Sequence, residues 1–211
     1  LGIRFPQNFN YPYAAESIQD FWRRWHMTLS RWLRDYLYIP LGGNRKGRAR
    51  TYANLMATML LGGLWHGASW NFVIWGGLHG VYLSFERAVL GRLRWWNADN
   101  PAARMLRILV TFHLTCVAWI FFRAHHFPHA LTLLSNLAHP ALASFNAATN
   151  RDPALLVAAL FAAQLLGARF HYKDRIAASD GPLFALALAI AIVAIIWFAP
   201  EKTAPFIYFQ F

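Results

Sequence analysis

Between Pro182 and Pro200 the chain reads PLFALALAIAIVAIIWFAP, an apolar run that contains no charged residue. About 18 consecutive apolar residues are enough for a helix to cross the hydrocarbon core of a bilayer. A soluble protein rarely offers a place to bury a helix that is apolar on every side. The run therefore predicts an integral membrane protein, and the hydrophobic share of 57% agrees with this prediction.

Four further apolar segments extend this pattern along the chain. Together with the first run they predict an all-α fold, a polytopic transmembrane helical protein with about five membrane segments. The predicted segments are residues 52–65, 70–85, 105–122, 153–168 and 182–199. Only residues 66–69 separate the first two, so this connection could lie within the membrane if protein or water satisfies its backbone.

The chain has a formal net charge of +11, and its basic residues lie mainly in the connections between the apolar segments. Loops beside membrane helices hold such residues mostly on the cytoplasmic side. This rule predicts that residues 42–51, 87–107 and 169–180 are cytoplasmic. The long loop of residues 123–152 and the tail after Pro200 are predicted to face outward. Because no nucleic-acid-binding motif accompanies the charge, we expect no nucleic-acid partner.

Residues 17–38 precede the first predicted membrane segment and differ from it in pattern. Aromatic and apolar residues recur there at intervals of three and four, which predicts one amphipathic helix. Arginines lie off this stripe, and a basic, tryptophan-rich helix is typical of the membrane interface. Ser17 or Asp20 could cap the start of the helix. The stripe consists of Trp22, Trp25, Leu29, Trp32 and Tyr36.

Three histidines, His26, His66 and His79, are candidates for chemistry. His66 follows Gly-Gly-Leu-Trp and His79 follows Gly-Gly-Leu, whereas His26 belongs to the aromatic stripe. A titratable group at membrane depth is costly and therefore indicates a function, and histidine can accept a proton near neutral pH. The competing interpretation is that each histidine is a hydrogen-bonded residue of the protein interior.

Disulfide and metal chemistry have little support in the sequence. Cys116 is the only cysteine, so the chain can form no internal disulfide and has no cluster of metal-binding cysteines. His125, His126 and His129 are spaced closely enough to bind a metal, but no cysteine or carboxylate lies beside them. We therefore expect no metal site.

Two stretches of the chain, taken together, resemble a known family. Residues 21–44 read FWRRWHMTLSRWLRDYLYIPLGGN, and residues 54–80 contain GGLWHGA and WGGLHG. They resemble the membrane-bound O-acyltransferase (MBOAT) family, in particular the bacterial branch that acetylates alginate and similar polysaccharides. The D-alanyl transfer proteins of teichoic acid modification are close relatives. The resemblance implies that residues 1–211 form the carboxy-terminal part of a single many-helix membrane domain, without its amino-terminal spans.

The resemblance also implies roles for individual residues. The family's catalytic histidine corresponds to His66, a second motif position corresponds to His26, and His79 matches a less decisive position. His66 would act as general base on the acceptor hydroxyl, while His26 would position the donor carbonyl or stabilise the oxyanion. The acyl donor would be a cytoplasmic thioester such as acetyl-CoA, bound as a substrate, and no cofactor would be bound tightly.

By the same resemblance, the protein would be a multi-pass protein of the bacterial cytoplasmic (inner) membrane, surrounded by the lipid bilayer. It would act with an extracytoplasmic acetyltransferase partner on a polysaccharide acceptor. Two other classes of function stay open. A non-catalytic transporter or channel subunit would use the histidines as a proton or substrate path. A structural membrane scaffold would need His66 only for stability.

Overall fold

The computed structural model describes residues 5–94, 96–138, 147–177 and 181–197. These residues form helices and connections, with no strand among them, which confirms the predicted all-α class. In chain order the helices are α1 (Ile18–Arg24), α2 (Met27–Leu33), α3 (Gly47–Leu64), α4 (Trp70–Ala88), α5 (Pro101–Arg123), α6 (Phe127–Ala138), α7 (Ala147–Phe170), α8 (Tyr172–Ala177) and α9 (Pro182–Trp197).

Within the described residues, α5 is the one helix that is long and apolar enough, by length and composition, to cross a membrane. The other four predicted membrane segments coincide with α3, α4, α7 and α9. Residues 198 and 199, and the tail after Pro200, lie outside the described residues. The predicted segments are therefore confirmed as helices, while the number that cross a membrane and their orientation stay predictions.

The chain forms two compact units, Leu1–Gln164 and Leu165–Phe211. In the second unit, α8 contacts α9. The hydrophobic core of the first unit lies where α1, α4, α5 and α6 meet. This core includes Ile18, Phe21, Trp22, Trp75, Ala118, Phe121 and Ala130. The single membrane domain expected for residues 1–211 stays a prediction.

Helices α3 and α4 form a hairpin joined by residues 65–69, and two glycines let their backbones approach closely. A Cβ atom at Gly63 would overlap with the carbonyl oxygen of Phe72, and a Cβ atom at Gly76 would overlap with the carbonyl oxygen of Met59. Small residues at a helix interface permit this kind of backbone contact. The two glycines therefore set the separation of the helices on either side of His66.

The single amphipathic helix predicted for residues 17–38 is wrong. The segment is divided into α1, α2 and a π-helical turn at Arg34–Tyr38. His26 has φ 44° and ψ 52°, in the left-handed region, so a right-handed helix cannot continue through it. The predicted cap at Ser17 is confirmed, because its side chain accepts a hydrogen bond from the backbone N–H of Asp20.

The long loop predicted for residues 123–152 is also partly helical. It contains α6, and α7 begins within it, while residues 139–146 lie outside the described part. The helix is compatible with the sequence, since Phe127, Ala130 and Leu134 recur at intervals of three and four. Ala130 is fully buried in the core, so burial of this face accounts for the helix.

A pair of adjacent glycine variants tests the close contact of α3 and α4. Gly76→Ala should lower stability by about 1–3 kcal/mol or more, because its new methyl group meets the backbone of α3. Gly77→Ala should be tolerated, because the nearest atom to its methyl group is a Leu60 side-chain carbon at 3.6 Å. Thermal unfolding of the full-length protein in detergent measures both, and equal midpoints would contradict the proposed contact.

Candidate functional site

His66 lies in the connection between α3 and α4, where its backbone N–H donates a hydrogen bond of 2.9 Å to the carbonyl oxygen of Gly63. The residue is 6% exposed. Its ring is packed perpendicular to Trp75, with 5.4 Å between centroids, and lies 5.0 Å from the ring of Phe122. Helices α4 and α5 thus enclose the imidazole between aromatic side chains.

His26 lies at the junction between α1 and α2 and holds the left-handed conformation there. The segment before α1 supports this junction: the N–H of Met27 donates to the carbonyl of Asn8, and the side-chain oxygen of Asn8 accepts from the N–H of Thr28. A left-handed residue other than glycine costs on the order of 1 kcal/mol or more and often marks a functional site. The Nδ1 atom of His26 is buried and has no hydrogen-bond partner among the described residues.

The two predicted site histidines interact with each other across the fold. Burial, the larger cause, and electrostatic interaction with His26 together lower the pKa of His66 to about 4. His66 is therefore unprotonated at neutral pH, which leaves a ring nitrogen able to accept a proton. Although the two residues are 40 positions apart in the sequence, the fold brings them near enough for this electrostatic interaction.

His79 lies on α4 and is fully buried. Its Nδ1 atom accepts a hydrogen bond of 3.3 Å from the indole N–H of Trp22. Because an indole N–H can only donate, Nδ1 carries no proton and the proton of the neutral ring is on Nε2. The ring centroid of His79 is 5.0 Å from that of Trp75, which also contacts His66. His79 therefore lies behind the site, one aromatic ring away from His66.

Asn71 connects the beginning of α4 to the end of α5. Its side chain is buried and donates a hydrogen bond of 2.8 Å to the carbonyl oxygen of Ala124. Two residues earlier, the hydroxyl of Ser69 caps α4 by accepting from the N–H of Asn71. These bonds fix the connection that carries His66 against the helix that carries Phe122.

A cavity of about 1030 Å³ lies beside α1 and α2. Five arginines and two glutamates are among its lining residues, and Trp22 is part of its wall, whereas neither His26 nor His66 is. An excess of arginine suits the recognition of phosphate groups. The charged lining residues are Arg23, Arg31, Arg34, Arg87, Arg107, Glu16 and Glu86.

The histidines after α5 do not form a metal site in the described part of the chain. The rings of His125 and His129 are stacked with 6.0 Å between centroids, and Nδ1 of His126 accepts a hydrogen bond from the N–H of His129. No group of three potential ligands among the described residues is close enough to hold a metal ion. The absence of a metal site in the whole protein stays a prediction.

Sequence reasoning does not single out Trp75, Asn71 or Glu86. Trp75 and His79 are four residues apart, and this helical spacing places two rings on one face of α4. No local pattern indicates the hydrogen bond from the N–H of Ile18 to Glu86, because the partners are 68 positions apart. The spacing of Trp75 and His79 can therefore be recognised in the sequence, whereas the bond between Ile18 and Glu86 depends on tertiary structure alone.

The chain is similar to known proteins of one family. Residues 1–126 match the family described as MBOAT, membrane-bound O-acyltransferase family. A probable alginate O-acetylase AlgI of Azotobacter vinelandii is 39% identical over 248 residues, covering 100% of this chain and 49% of the relative. The peptidoglycan O-acetyltransferase of Helicobacter pylori is 51% identical over 137 residues, covering 65% of this chain and 26% of the relative.

The AlgI protein of Pseudomonas aeruginosa is 53% identical over 126 residues, covering 60% of this chain and 23% of the relative. Among more distant relatives, a teichoic acid D-alanyltransferase of Bacillus subtilis is 33% identical over 141 residues, covering 61% of this chain and 35% of the relative. The chain spans about half the length of the first relatives that it matches.

The role of Asn71 in holding the His66 connection can be tested by stability. Asn71→Ala should destabilise the full-length protein by about 1–3 kcal/mol, because the buried carbonyl of Ala124 loses its donor. Asn97→Ala is the control, since the Asn97 side chain bonds backbone carbonyls at an exposed position and should cost about 0.5 kcal/mol or less. Thermal unfolding in detergent measures both, and an Asn71 variant as stable as the control would contradict this role.

Proposed function

Because the chain belongs to the membrane-bound O-acyltransferase family, we propose that it carries the catalytic histidines of an enzyme that transfers an acyl group, in particular acetyl, from a cytoplasmic thioester to a hydroxyl group. The observation that supports this proposal is the buried imidazole of His66, which is enclosed by aromatic rings and lies near enough to His26 for an electrostatic interaction. Three relatives, a probable alginate O-acetylase, a peptidoglycan O-acetyltransferase and a teichoic acid D-alanyltransferase, agree with acyl transfer to cell-surface polymers.

In the proposed reaction, the unprotonated ring nitrogen of His66 accepts the proton of the acceptor hydroxyl. A hydroxyl group is otherwise too weakly acidic to attack well, so a positioned base is needed. The hydroxyl oxygen then bonds to the thioester carbonyl carbon, and the C–S bond breaks. The proton passes from His66 to the leaving thiolate, so that the products are an O-acyl ester and a free thiol.

His26 would contact the thioester carbonyl in this reaction. The carbonyl oxygen becomes negative in the tetrahedral intermediate, and a protonated ring nitrogen can donate a hydrogen bond to it. The buried Nδ1 atom of His26, which has no partner among the described residues, supports this assignment, because a ligand oxygen would satisfy it. The aromatic enclosure of His66 would exclude water, so that the thioester is transferred rather than hydrolysed.

The arginine-lined cavity beside α1 and α2 is the proposed binding place of the acyl donor. Acetyl-CoA, the donor we propose, carries phosphate groups that five arginines against two glutamates would attract. We place this cavity at the cytoplasmic side, since the neighbouring basic connections are predicted to be cytoplasmic. The protein would lie in the bacterial inner membrane as a multi-pass protein.

The proposed acceptor is a hydroxyl of an exported polysaccharide, or of a separate extracytoplasmic acetyltransferase that passes the group on to the sugar. Two relatives are named for polysaccharide acceptors, alginate and peptidoglycan. Acetyl content of the surface polysaccharide is therefore the most informative readout of the complete system.

His66→Ala should reduce acetyl incorporation into surface polysaccharide by about 10²–10⁴-fold, because a general base contributes on this order. The measurement compares cells that carry the full-length wild-type or variant protein at matched membrane abundance. His113→Ala is the control, because within the described residues this exposed histidine on α5 bonds only a backbone carbonyl of its own helix, at Leu109. Retention of acetylation by His66→Ala would contradict the assigned role and favour a transport function.

The pH dependence of transfer follows from the lowered pKa of His66. A base with a pKa of about 4 becomes protonated, and activity is lost, only as the pH falls through about 4. The value of kcat/KM should therefore be nearly constant between about pH 7.5 and pH 5.5, whereas a base with an ordinary histidine pKa of about 6.5 would lose about 90% of its activity by pH 5.5. Initial rates of the full-length protein in detergent decide between the two profiles.

A further inference from the structure

The start of α1 is bonded to the side chain of Glu86 on α4. The carboxylate oxygen Oε2 accepts a hydrogen bond of 2.7 Å from the N–H of Ile18 and one of 3.4 Å from the N–H of Gln19. In the described part of the chain, Glu86 forms no ion pair with a basic side chain. Its carboxylate serves as an acceptor for backbone groups that have no partner within their own helix.

A second contact joins the same two helices about one turn further along α1. The indole N–H of Trp22 donates to Nδ1 of His79, and both side chains are buried, with exposures of 8% and 0%. Glu86 and His79 are seven residues apart on α4, so their side chains project from the same face of that helix. Two points of attachment fix the position and the rotation of α1, whereas one point would fix only its position.

These contacts link the two histidines of the site. Helix α1 ends at Arg24, two residues before His26, while α4 begins at Trp70, four residues after His66. The ring of Trp75 on α4 contacts both His66 and His79. Helix α4 is therefore the common support from which His66 and, through α1, His26 are both positioned.

We propose that Glu86 and His79 are positioning residues, which attach α1 to α4 and thereby hold His26 opposite His66. The inference rests on the proposed acyl transfer. In this inference Glu86 and His79 do not touch the donor's acyl carbon. They act through α1 and His26. A displacement of about 1 Å in a reacting group can reduce a rate by about 100-fold, so loss of either contact should be visible in the rate.

The variants are chosen to separate positioning from charge, donor binding and folding. Glu86→Ala removes the acceptor, whereas Glu86→Gln retains an oxygen that can accept from Ile18. Trp22→Phe removes the N–H that bonds His79 and part of the buried ring, but it keeps an aromatic side chain at this position. Arg104→Ala is the control near α1, because its ion pair with Glu16 is exposed and Arg107 bonds the same carboxylate.

Initial rates of acetyl incorporation are measured in permeabilised cells that contain each full-length variant at matched membrane abundance, with acetyl-CoA supplied over a range of concentrations. Glu86→Ala and Trp22→Phe should lower the maximal rate on the order of 10–100-fold, with little change in the KM for acetyl-CoA. Glu86→Gln should recover most of the rate, and Arg104→Ala should equal the wild type.

Three results would overturn the inference. The first is a wild-type rate for Trp22→Phe, and the second is a Glu86→Gln variant as slow as Glu86→Ala, which would assign the effect to the charge. The third is a rise in KM at an unchanged maximal rate, which would mean that Glu86, which lines the donor cavity, acts in donor binding and not in positioning. Absence of acetyl transfer in the wild type would instead contradict the proposed function.

Discussion

The close approach of α3 and α4 at Gly63 and Gly76 determines where the site lies. Backbone atoms of the two helices meet where any larger residue would overlap with a carbonyl oxygen. The hairpin therefore turns within the short connection of residues 65–69, and His66 has little freedom to move away from the packed interior. The contact between the backbones of α3 and α4 thus determines the position of a titratable side chain, that of His66.

The surroundings of His66 then decide its chemistry. Phe72 and Trp75 from α4 and Phe122 from α5 enclose the ring of His66 with apolar surface. In such surroundings the charged imidazolium is disfavoured, which is why the pKa of His66 is lowered. The second histidine, His26, lies just beyond the end of α1, so the site depends on how α1 is attached to α4.

Part of this arrangement follows from the sequence, because some determinants are local. The start of α1 is predicted by Ser17, and the Ser17 side chain does cap it by accepting from the N–H of Asp20. His66 becomes a candidate because it is a histidine placed among apolar residues. Periodicity alone, however, predicts one helix across residues 17–38, because it carries no information about the tertiary contacts that hold His26 in a left-handed conformation. Long-range bonds such as that between Ile18 and Glu86 leave no local pattern at all.

The central claim is that the imidazole of His66 itself performs the proton transfer. Chemical rescue tests this most directly. A full-length His66→Gly variant leaves a space of the size of the lost ring, which added imidazole can occupy. Imidazole is therefore added to permeabilised cells that contain the variant and are supplied with acetyl-CoA. The account predicts that acetyl incorporation is lost in the variant and returns in proportion to the added imidazole, while the wild-type rate is unaffected. A His66→Gly variant that transfers acetyl groups at the wild-type rate without imidazole, at matched abundance, would contradict it.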